Sequence, residues 1–483
     1  MNNSAKLECL MQNREQLDSY KSPMRYQLDL LFDEGSFVEL GGFFNEQRQE
    51  YSMSVVAGYG SINQRLVYAY AQDLCIMGGT LNRLQCEKIC RLYDAALSTG
   101  APMISIINSG GACADEGVAT LVSFGKILNK MTEAHDIIPQ ITVITGDCTD
   151  CQAVLAASGD FTFMLDDTST LSLNTPRFIQ LSNGGILDTS AYSNACKSGQ
   201  TDFICANFTD CAENVRKVLN FLPMNYLDRP LISENDDDFN RLSDELNSII
   251  PDDDFENIDI MSIIKIIADN GNVFQVSSNF ATNIVTCFAH LGGHSVGIVA
   301  NNGELDIDAC IKTTRFIKLC DKFHIPIITL VDIMSFVPNV KEEYSGIVRI
   351  SAILANAYNR ASVPKISVVL RKAYGSAYLV MGGKFSGADL VFAWPTAEFA
   401  MIHPHDAVMK LYANVINAAV NPEDAFRRMD TEYRESFCSP YIGAENGQVD
   451  DIIIPSTTRP RLVSALEMLT TKQKKRKDEG KYV

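Results

Sequence analysis

This chain uses one design twice, and that repetition constrains its fold more than any other feature. The segment "APMISIINSGG" runs from Pro102 through an apolar strand into a turn of small residues, and "IPQITVITGD" repeats the plan from Pro139. Much later "IPIITLVDIMSF" starts at Pro326 and "VPKISVVLRKAYGSAY" follows from Pro364. The two proline pairs are displaced by roughly 225 residues, which predicts a long internal duplication. A chain of 483 residues is too long for one ordinary core. The repeat indicates how it divides, into two like halves.

Helical patterns lie between the strands. Cys86, Ile89, Cys90, Tyr93 and Leu97 fall on one helical face, as do Ile347, Ile350, Leu354, Ala357 and Tyr358. Strand, turn and helix in succession predict an α/β fold, in which chemistry sits on the turns that follow strands. Two acidic clusters, "SENDDDFN" (233–240) and "IPDDDFEN" (250–257), enclose a stretch with little strand character. We place a linker or connecting helix at 226–258, between domains at 1–225 and 259–483.

The net charge of −18 makes the chain a poor candidate for broad nucleic-acid binding. An anionic cofactor can still be held by a local basic pocket or by the amides at a helix start. No apolar run approaches the roughly 20 residues that span a bilayer. The opening MNNSAKLECLMQNR has no apolar core behind its charges, so it does not read as a signal peptide. Fourteen cysteines without export imply a reducing, cytoplasmic setting in which most are buried hydrophobes. The basic run KQKKRK, Lys472 to Lys477, reads as a solvated tail.

Two turns could carry chemistry. In "INSGGACADEG", Gly110 and Gly111 follow a strand and allow a tight turn with N–H groups exposed near a helix start. Such donors could form an oxyanion hole, although an ordinary strand-to-helix turn explains this motif alone equally well. Ser109 lies outside a G-x-S-x-G pattern and is a weak nucleophile candidate. "RKAYGSAYLVMGGK" (371–384) has the same design, with small residues Gly375, Ser376 and Ala377 after a strand. Two holes would suit a reaction with two developing anions. No His/Asp/Ser set presents itself, and His403-Pro404-His405 reads as a turn rather than a metal site. Cys148 and Cys151 lack a second C-x-x-C partner, which argues against structural zinc and leaves a thiol redox pair as the alternative.

With these segments in place, the chain resembles the carboxyltransferase subunits of biotin-dependent acyl-CoA carboxylases and decarboxylases, the propionyl-CoA carboxylase β and methylmalonyl-CoA decarboxylase α family. The resemblance spans nearly the whole chain. It includes "LLFDEGSFVEL" (30–40), "AQDLCIMGGTL" (71–81), "NSGGA", "EGV", "NIVTCFAHLGGHSVGIVANN", "LDIDACIKTTRFIKLCDKFHIPIITLVD", "RKAYGSAYLVMGGK" and "GADLVFAWPTAE". It implies two crotonase-like domains of the ClpP/crotonase superfamily, the first for acyl-CoA and the second for biotin. It also implies a site shared between the first domain of one subunit and the second domain of its dimer partner, usually within a homo- or hetero-hexamer. The implied chemistry is carboxyl transfer between biotin N1 and a thioester α-carbon, without a metal on this chain. The biotin carrier protein is expected to be separate, since no A-M-K-M stretch occurs. A biotin carboxylase or a membrane decarboxylase would also be a separate partner.

Carried over residue by residue, the biotin-side hole falls on Ser376 and Ala377, with Gly375, Tyr378 and Leu379 lining it. The acyl-CoA side matches Gly110, Gly111 and Ala112. Where the family reads G-P-C-A-G-G-A, this chain reads Gly146-Asp147-Cys148-Thr149-Asp150-Cys151-Gln152. Asp150 and Cys151 thus stand in place of the glycine pair that forms the thioester hole, which explains "CTDC" better than a metal site does. A non-glycine residue at positive φ is disfavoured, so the loop is expected to change shape. A carboxylate beside an enolate would also oppose it.

Other departures are Thr189-Ser190-Ala191 with Asn194 for G-G-A-x-x-H, Asp332-Ile333-Met334-Ser335-Phe336 for D-x-P-G-F, and Ile350-Ser351-Ala352 for His-Gly-Ala. Three readings follow. The first is an active carboxyltransferase with a modified pocket. The second is a catalytically impaired paralogue that lends its biotin side to an intact subunit. The third is an enzyme whose Asp150 meets a cationic or hydroxylated acyl group.

Overall fold

The duplication appears strand for strand in a computed structural model of the chain, which describes residues 3–19, 23–43, 54–253 and 256–472. Of the basic run only Lys472 falls within them; the rest lies outside the described residues. The chain divides into two units between Asp228 and Arg229. The first contains β1 (Val38–Glu39), β2 (Val55–Ile62), β3 (Arg65–Gln72), β4 (Met103–Ser109), β5 (Gln140–Thr149), β6 (Phe161–Leu165), β7 (Thr170–Ser172) and β8 (Phe203–Cys205). The second contains β9 (Val273–Val276), β10 (Ile284–Leu291), β11 (His294–Asn301), β12 (Ile327–Ile333), β13 (Lys365–Tyr374), β14 (Leu390–Ala393), β15 (Glu398–Ala400) and β16 (Asp451–Ile452).

The two sheets share one plan. Their orders are β1-β2-β3-β4-β5-β6-β8 and β9-β10-β11-β12-β13-β14-β16, with β7 added to β5 and β15 to β13. In each, the first three strands pair antiparallel and the rest parallel. The irregularities repeat too. The register slips between Ile107 and Ser109 in one sheet and between Val331 and Ile333 in the other. Isolated bridges join Leu81 to Ala112 and Leu305 to Phe336. Parallel strands covered on both faces read as continuous apolar runs, and all ten residues of β13 are buried.

The helices form where the periodicity predicts them. Helix Arg83–Thr99 opens on a capping box between Asn82 and Gln85 and closes on Gly100 in the left-handed region. Cys86, Ile89, Cys90 and Tyr93 are buried along it, and Leu97 is half-buried. Helix Ile347–Arg360 buries Ile347, Leu354, Ala357 and Tyr358, with Ile350 half-buried. Two buried lysines hold corresponding places: Lys88 Nζ donates to Val55 O at 2.7 Å, and Lys312 Nζ to Phe280 O at 2.7 Å and Ile284 O at 2.9 Å. Among the described residues, no helix is long and apolar enough to cross a membrane.

The acidic stretch expected as a linker belongs to the second unit from Arg229 onward and contains a short 3₁₀ turn, Asp244–Ser248, rather than a connecting helix. The reason is charge matching across the chain. Asp237 accepts from Arg241 Nε at 2.8 Å and lies 3.4 Å from the fully buried Arg459. Arg459 also pairs with Asp269 Oδ1 at 2.7 Å and donates to Ile267 O at 2.8 Å. Removing a partner from a buried ion pair leaves an uncompensated charge, so Arg459→Met should cost about 3–5 kcal/mol, read from the urea midpoint.

In the first unit Asp33 holds the β2–β3 hairpin through Asn63 N, Gln64 N and Arg216 NH1, at 3.2, 3.0 and 2.7 Å. Burial pushes its carboxyl up, but the Gln64 amide, Arg216 and the Asn63 amide outweigh this and lower it to about 2. A carboxyl lowered on folding stabilises above its unfolded value and loses that contribution as pH falls through the folded one. The stability gap between the natural chain and Asp33→Asn should therefore be full at pH 7 and be lost as pH falls through about 2 in acid titrations of unfolding.

Candidate active site

In the second unit β13 ends at Tyr374 and the chain turns into the short helix Gly375–Leu379. Gly375 has φ 52°, and a Cβ on it would lie 3.0 Å from Met401 O. Glycine takes this strained position, so Ser376 does not need a positive φ and does not have one. Among the described residues, nothing accepts from the N–H of Ser376 or Ala377. These are the orphan donors expected at a helix start. Ser376 is exposed, Ala377 buried and Leu379 exposed. Tyr378 is buried edge-on against Phe385 and Phe399, and its hydroxyl has no partner among the described residues.

A polar network stands behind this turn. Tyr374 donates its hydroxyl to Glu398 on β15, the short strand paired with the end of β13. Arg434 donates to both Glu398 oxygens at 2.9 and 2.8 Å and to Asp430 at 2.8 Å. Asp332 accepts from Arg371 NH2 and from Lys372 N, each at 3.0 Å. Ser351 bonds within its own helix, to Val348 O.

The first unit repeats the arrangement with different residues. Thr149 ends β5, Asp150 makes the turn and helix Cys151–Ala157 follows. Asp150 takes the place of Gly375, Cys151 that of Ser376 and Gln152 that of Ala377. The expected reshaping of this loop does not occur. Asp150 has φ 56° and ψ −128°, a conformation that Gly117 also adopts in this unit, at φ 54° and ψ −126°. The surrounding strands over-determine the turn, and the aspartate bears the strain. Among the described residues, nothing accepts from the Cys151 or Gln152 N–H, and the Asp150 carboxylate does not fold back to cap them. Gln152 is wholly buried, with neither side-chain amide atom bonded among the described residues.

The cysteines here do not form a thiolate pair. Burial pushes the Cys148 thiol up to about 12, with Asp147 adding to it. Burial and Asp150 raise that of Cys151. Among the described residues, no group of three or more His, Cys, Asp or Glu could hold a metal. His403 caps helix Pro404–Ala418, accepting from His405 N at 3.2 Å.

The turn at Gly110 and Gly111 corrects one expectation. Gly110 N–H donates to Gly78 O at 2.9 Å and Gly111 N–H to Ser109 Oγ at 3.2 Å. Ser109 is buried and donates to Gly79 O at 2.6 Å. These amides are used inside the chain, because the bridge that seats Ala112 beside Leu81 draws the turn against Gly78 and Gly79. Neither amide is left free to act as a hole donor. Gly111 needs its glycine, with φ 105°. Asn194 Nδ2 reaches Leu171 O, Thr189 O and Ser190 O at 3.0–3.1 Å and ties down the segment beside β7.

The carboxyl transferase domain model matches residues 16–481. The chain belongs to this family. It is 39% identical to a propionyl-CoA carboxylase carboxyltransferase subunit of Haloferax mediterranei, over 96% of this chain and 93% of that protein. It is 40% identical to the methylmalonyl-CoA decarboxylase subunit alpha of Veillonella parvula, over 94% and 91%. Among solved structures it resembles the transcarboxylase 12S hexamer core with methylmalonyl-coenzyme A bound, at TM-score 0.94 and 33% identity, covering 100% of this chain and 98% of that one. That likeness, with the paired parallel sheets, makes this a crotonase-type carboxyltransferase fold.

Sequence reasoning did not find the Tyr374–Glu398–Arg434 network, since its members are far apart in the chain. It named Gln152 without a role; the signal available was its correspondence with Ala377. The strained turn yields a stability prediction for this carboxyltransferase. Asp150→Gly should stabilise the first unit by about 1 kcal/mol, whereas Gly375→Ala should destabilise the second by about 1–2 kcal/mol, both read from denaturant midpoints.

Proposed function

We propose that this carboxyltransferase moves a carboxyl group between biotin, borne by a separate carrier protein, and the α-carbon of a short-chain acyl-CoA such as propionyl-CoA or methylmalonyl-CoA. The observation that carries the reading is the pair of equivalent turns, each with two unused N–H donors, in a chain matched along its length by the family. Two donor pairs suit two oxygens that gain charge in one reaction. The Cys151 and Gln152 amides would donate to the thioester oxygen as the α-carbon becomes nucleophilic. The Ser376 and Ala377 amides fit the ureido oxygen of biotin, a small planar acceptor that the exposed Ser376 leaves accessible. Biotin, when presented, supplies the nitrogen that gives or takes the carboxyl group. Gly375, Tyr378 and Leu379 would line that side, and Gly110, Gly111 and Ala112 would shape the acyl-CoA side.

The impaired-paralogue reading is not favoured, because Asp150 keeps the glycine backbone and leaves both following donors unused. A biotin carboxyl carrier protein is the expected partner, with a biotin carboxylase or a membrane decarboxylase completing the system and a hexamer as the assembly.

The test follows methylmalonyl-CoA by mass in the presence of free biotin. The expected result is conversion to propionyl-CoA. Valine at Gly111 forces a strained turn, and a displacement of about 1 Å at such a site lowers turnover about 100-fold. Gly111→Val should show that loss with unchanged thermal unfolding of the second unit. Turnover seen only after adding an intact paralogue would replace this reading with that of a partner subunit.

A further inference from the structure

The two turns are built alike but braced differently. On the first, β7 pairs with the end of β5, Asp147 beside Thr170 and Thr149 beside Ser172. Thr170 donates its hydroxyl to Asp147 Oδ1 at 2.9 Å, and among the described residues no lysine or arginine pairs with Asp147. On the second, β15 pairs with the end of β13 in the same way, Lys372 beside Glu398 and Tyr374 beside Ala400. Glu398 stands in the place of Thr170 and accepts the Tyr374 hydroxyl. Arg434, 36 residues downstream, grips both Glu398 oxygens at 2.9 and 2.8 Å and donates through Nε to Asp430 at 2.8 Å. A guanidinium that holds both oxygens of a carboxylate fixes geometry as well as contributing energy. The Tyr374 ring is buried and stands edge-on to His403, with centroids 5.6 Å apart.

Asp150 turns at φ 56° and Gly375 at φ 52°, so a strand-to-helix turn of this kind forms with or without the brace. The fold alone does not call for the ion pair, and its purpose lies in what the second turn does. Tyr374 is the residue from which Gly375 turns. Met401, three residues after Glu398, presents its carbonyl to the other side, 3.0 Å from where a Cβ on Gly375 would stand. Fixing Glu398 therefore fixes the turn from both sides. We propose that Glu398 and Arg434 are positioning residues for biotin, holding the Gly375 turn through the Tyr374 hydroxyl. The inference rests on the carboxyltransferase reading above, which puts the ureido oxygen of biotin at the Ser376 and Ala377 amides. Biotin borne on a carrier arrives and leaves in every cycle, so the turn that meets it has to be in shape beforehand. Donors set in place before charge develops need no reorganisation as it forms. Glu398 and Arg434 act through Tyr374 and not on the reacting atoms, and their loss loosens the biotin side while leaving the acyl-CoA side as it is.

The experiment measures carboxyl transfer from methylmalonyl-CoA to free biotin by the full chain, with each substrate varied in turn. Tyr374→Phe removes only a hydroxyl and keeps the ring against His403, so it tests the link without emptying the core. Tyr374→Phe, Glu398→Ala and Arg434→Gln should each lower kcat/KM for biotin about 10-fold or more, since a displacement of about 1 Å at such a site costs about 100-fold. The KM for methylmalonyl-CoA should stay unchanged. Glu398→Gln, which keeps an oxygen for the Tyr374 hydroxyl, should recover most of what Glu398→Ala loses. The double variant Tyr374→Phe with Glu398→Ala should be no worse than the poorer single one, as for two residues acting along one path. Undiminished kcat/KM for biotin in Tyr374→Phe overturns the proposal and leaves the carboxyltransferase reading standing. Equal losses toward biotin and methylmalonyl-CoA, or no recovery with Glu398→Gln, overturn it in favour of a purely structural brace. Absence of transfer by the natural chain overturns both.

Discussion

The parallel pairing of β4 with β5, and of β12 with β13, is the constraint on which the rest of the structure depends. Each ladder runs in register through its apolar stretch and then slips near its C-terminal end, between Ile107 and Ser109 and between Val331 and Ile333. Beyond the slip, β7 and β15 pair with the last residues of β5 and β13 and hold those ends rigid. The turn that follows has little freedom left. It must reverse within one residue and enter a helix whose first N–H groups have no acceptor among the described residues. Two donors at a fixed place thus arise from backbone pairing alone.

That rigidity accounts for the tolerance of Asp150. A free loop given aspartate at this point would relax into a conformation with negative φ. Here the ladder, the short parallel strand beside it and the helix start define the backbone on three sides, and the residue adopts the conformation available to it. The donors keep their geometry while the chemistry around them changes from uncharged to anionic. Function in such a scaffold can therefore diverge through single residues on the turns while the sheets remain alike.

The charge pattern shows how far tertiary contacts revise a local reading. The acids at 233–240 read as part of a linker because the stretch they open has little strand character. In the folded unit Arg459, more than two hundred residues downstream, lies fully buried between Asp237 and Asp269. The same limit applies at the site. An apolar strand running into the turn at Gly375 was legible, but Glu398 and Arg434, which fix the Tyr374 hydroxyl, are not its neighbours in the sequence.

The sequence by itself determined the α/β class, the duplication and the helical faces. These follow from local periodicity and from small residues placed after apolar runs, which constrain the backbone wherever they occur. It also identified Asp150 and Cys151 as the residues that depart from the expected turn. Only the tertiary structure decided what the departure means. It showed that Asp150 accepts a glycine conformation, that the Gly110 and Gly111 amides are bonded inside the chain, and that the amides of Cys151, Gln152, Ser376 and Ala377 have no acceptor among the described residues. Whether an N–H is available depends on which carbonyl comes near it. Contacts such as those of Gly110 with Gly78 and of Leu81 with Gly111 join residues some thirty positions apart, and they form only when the strands are packed.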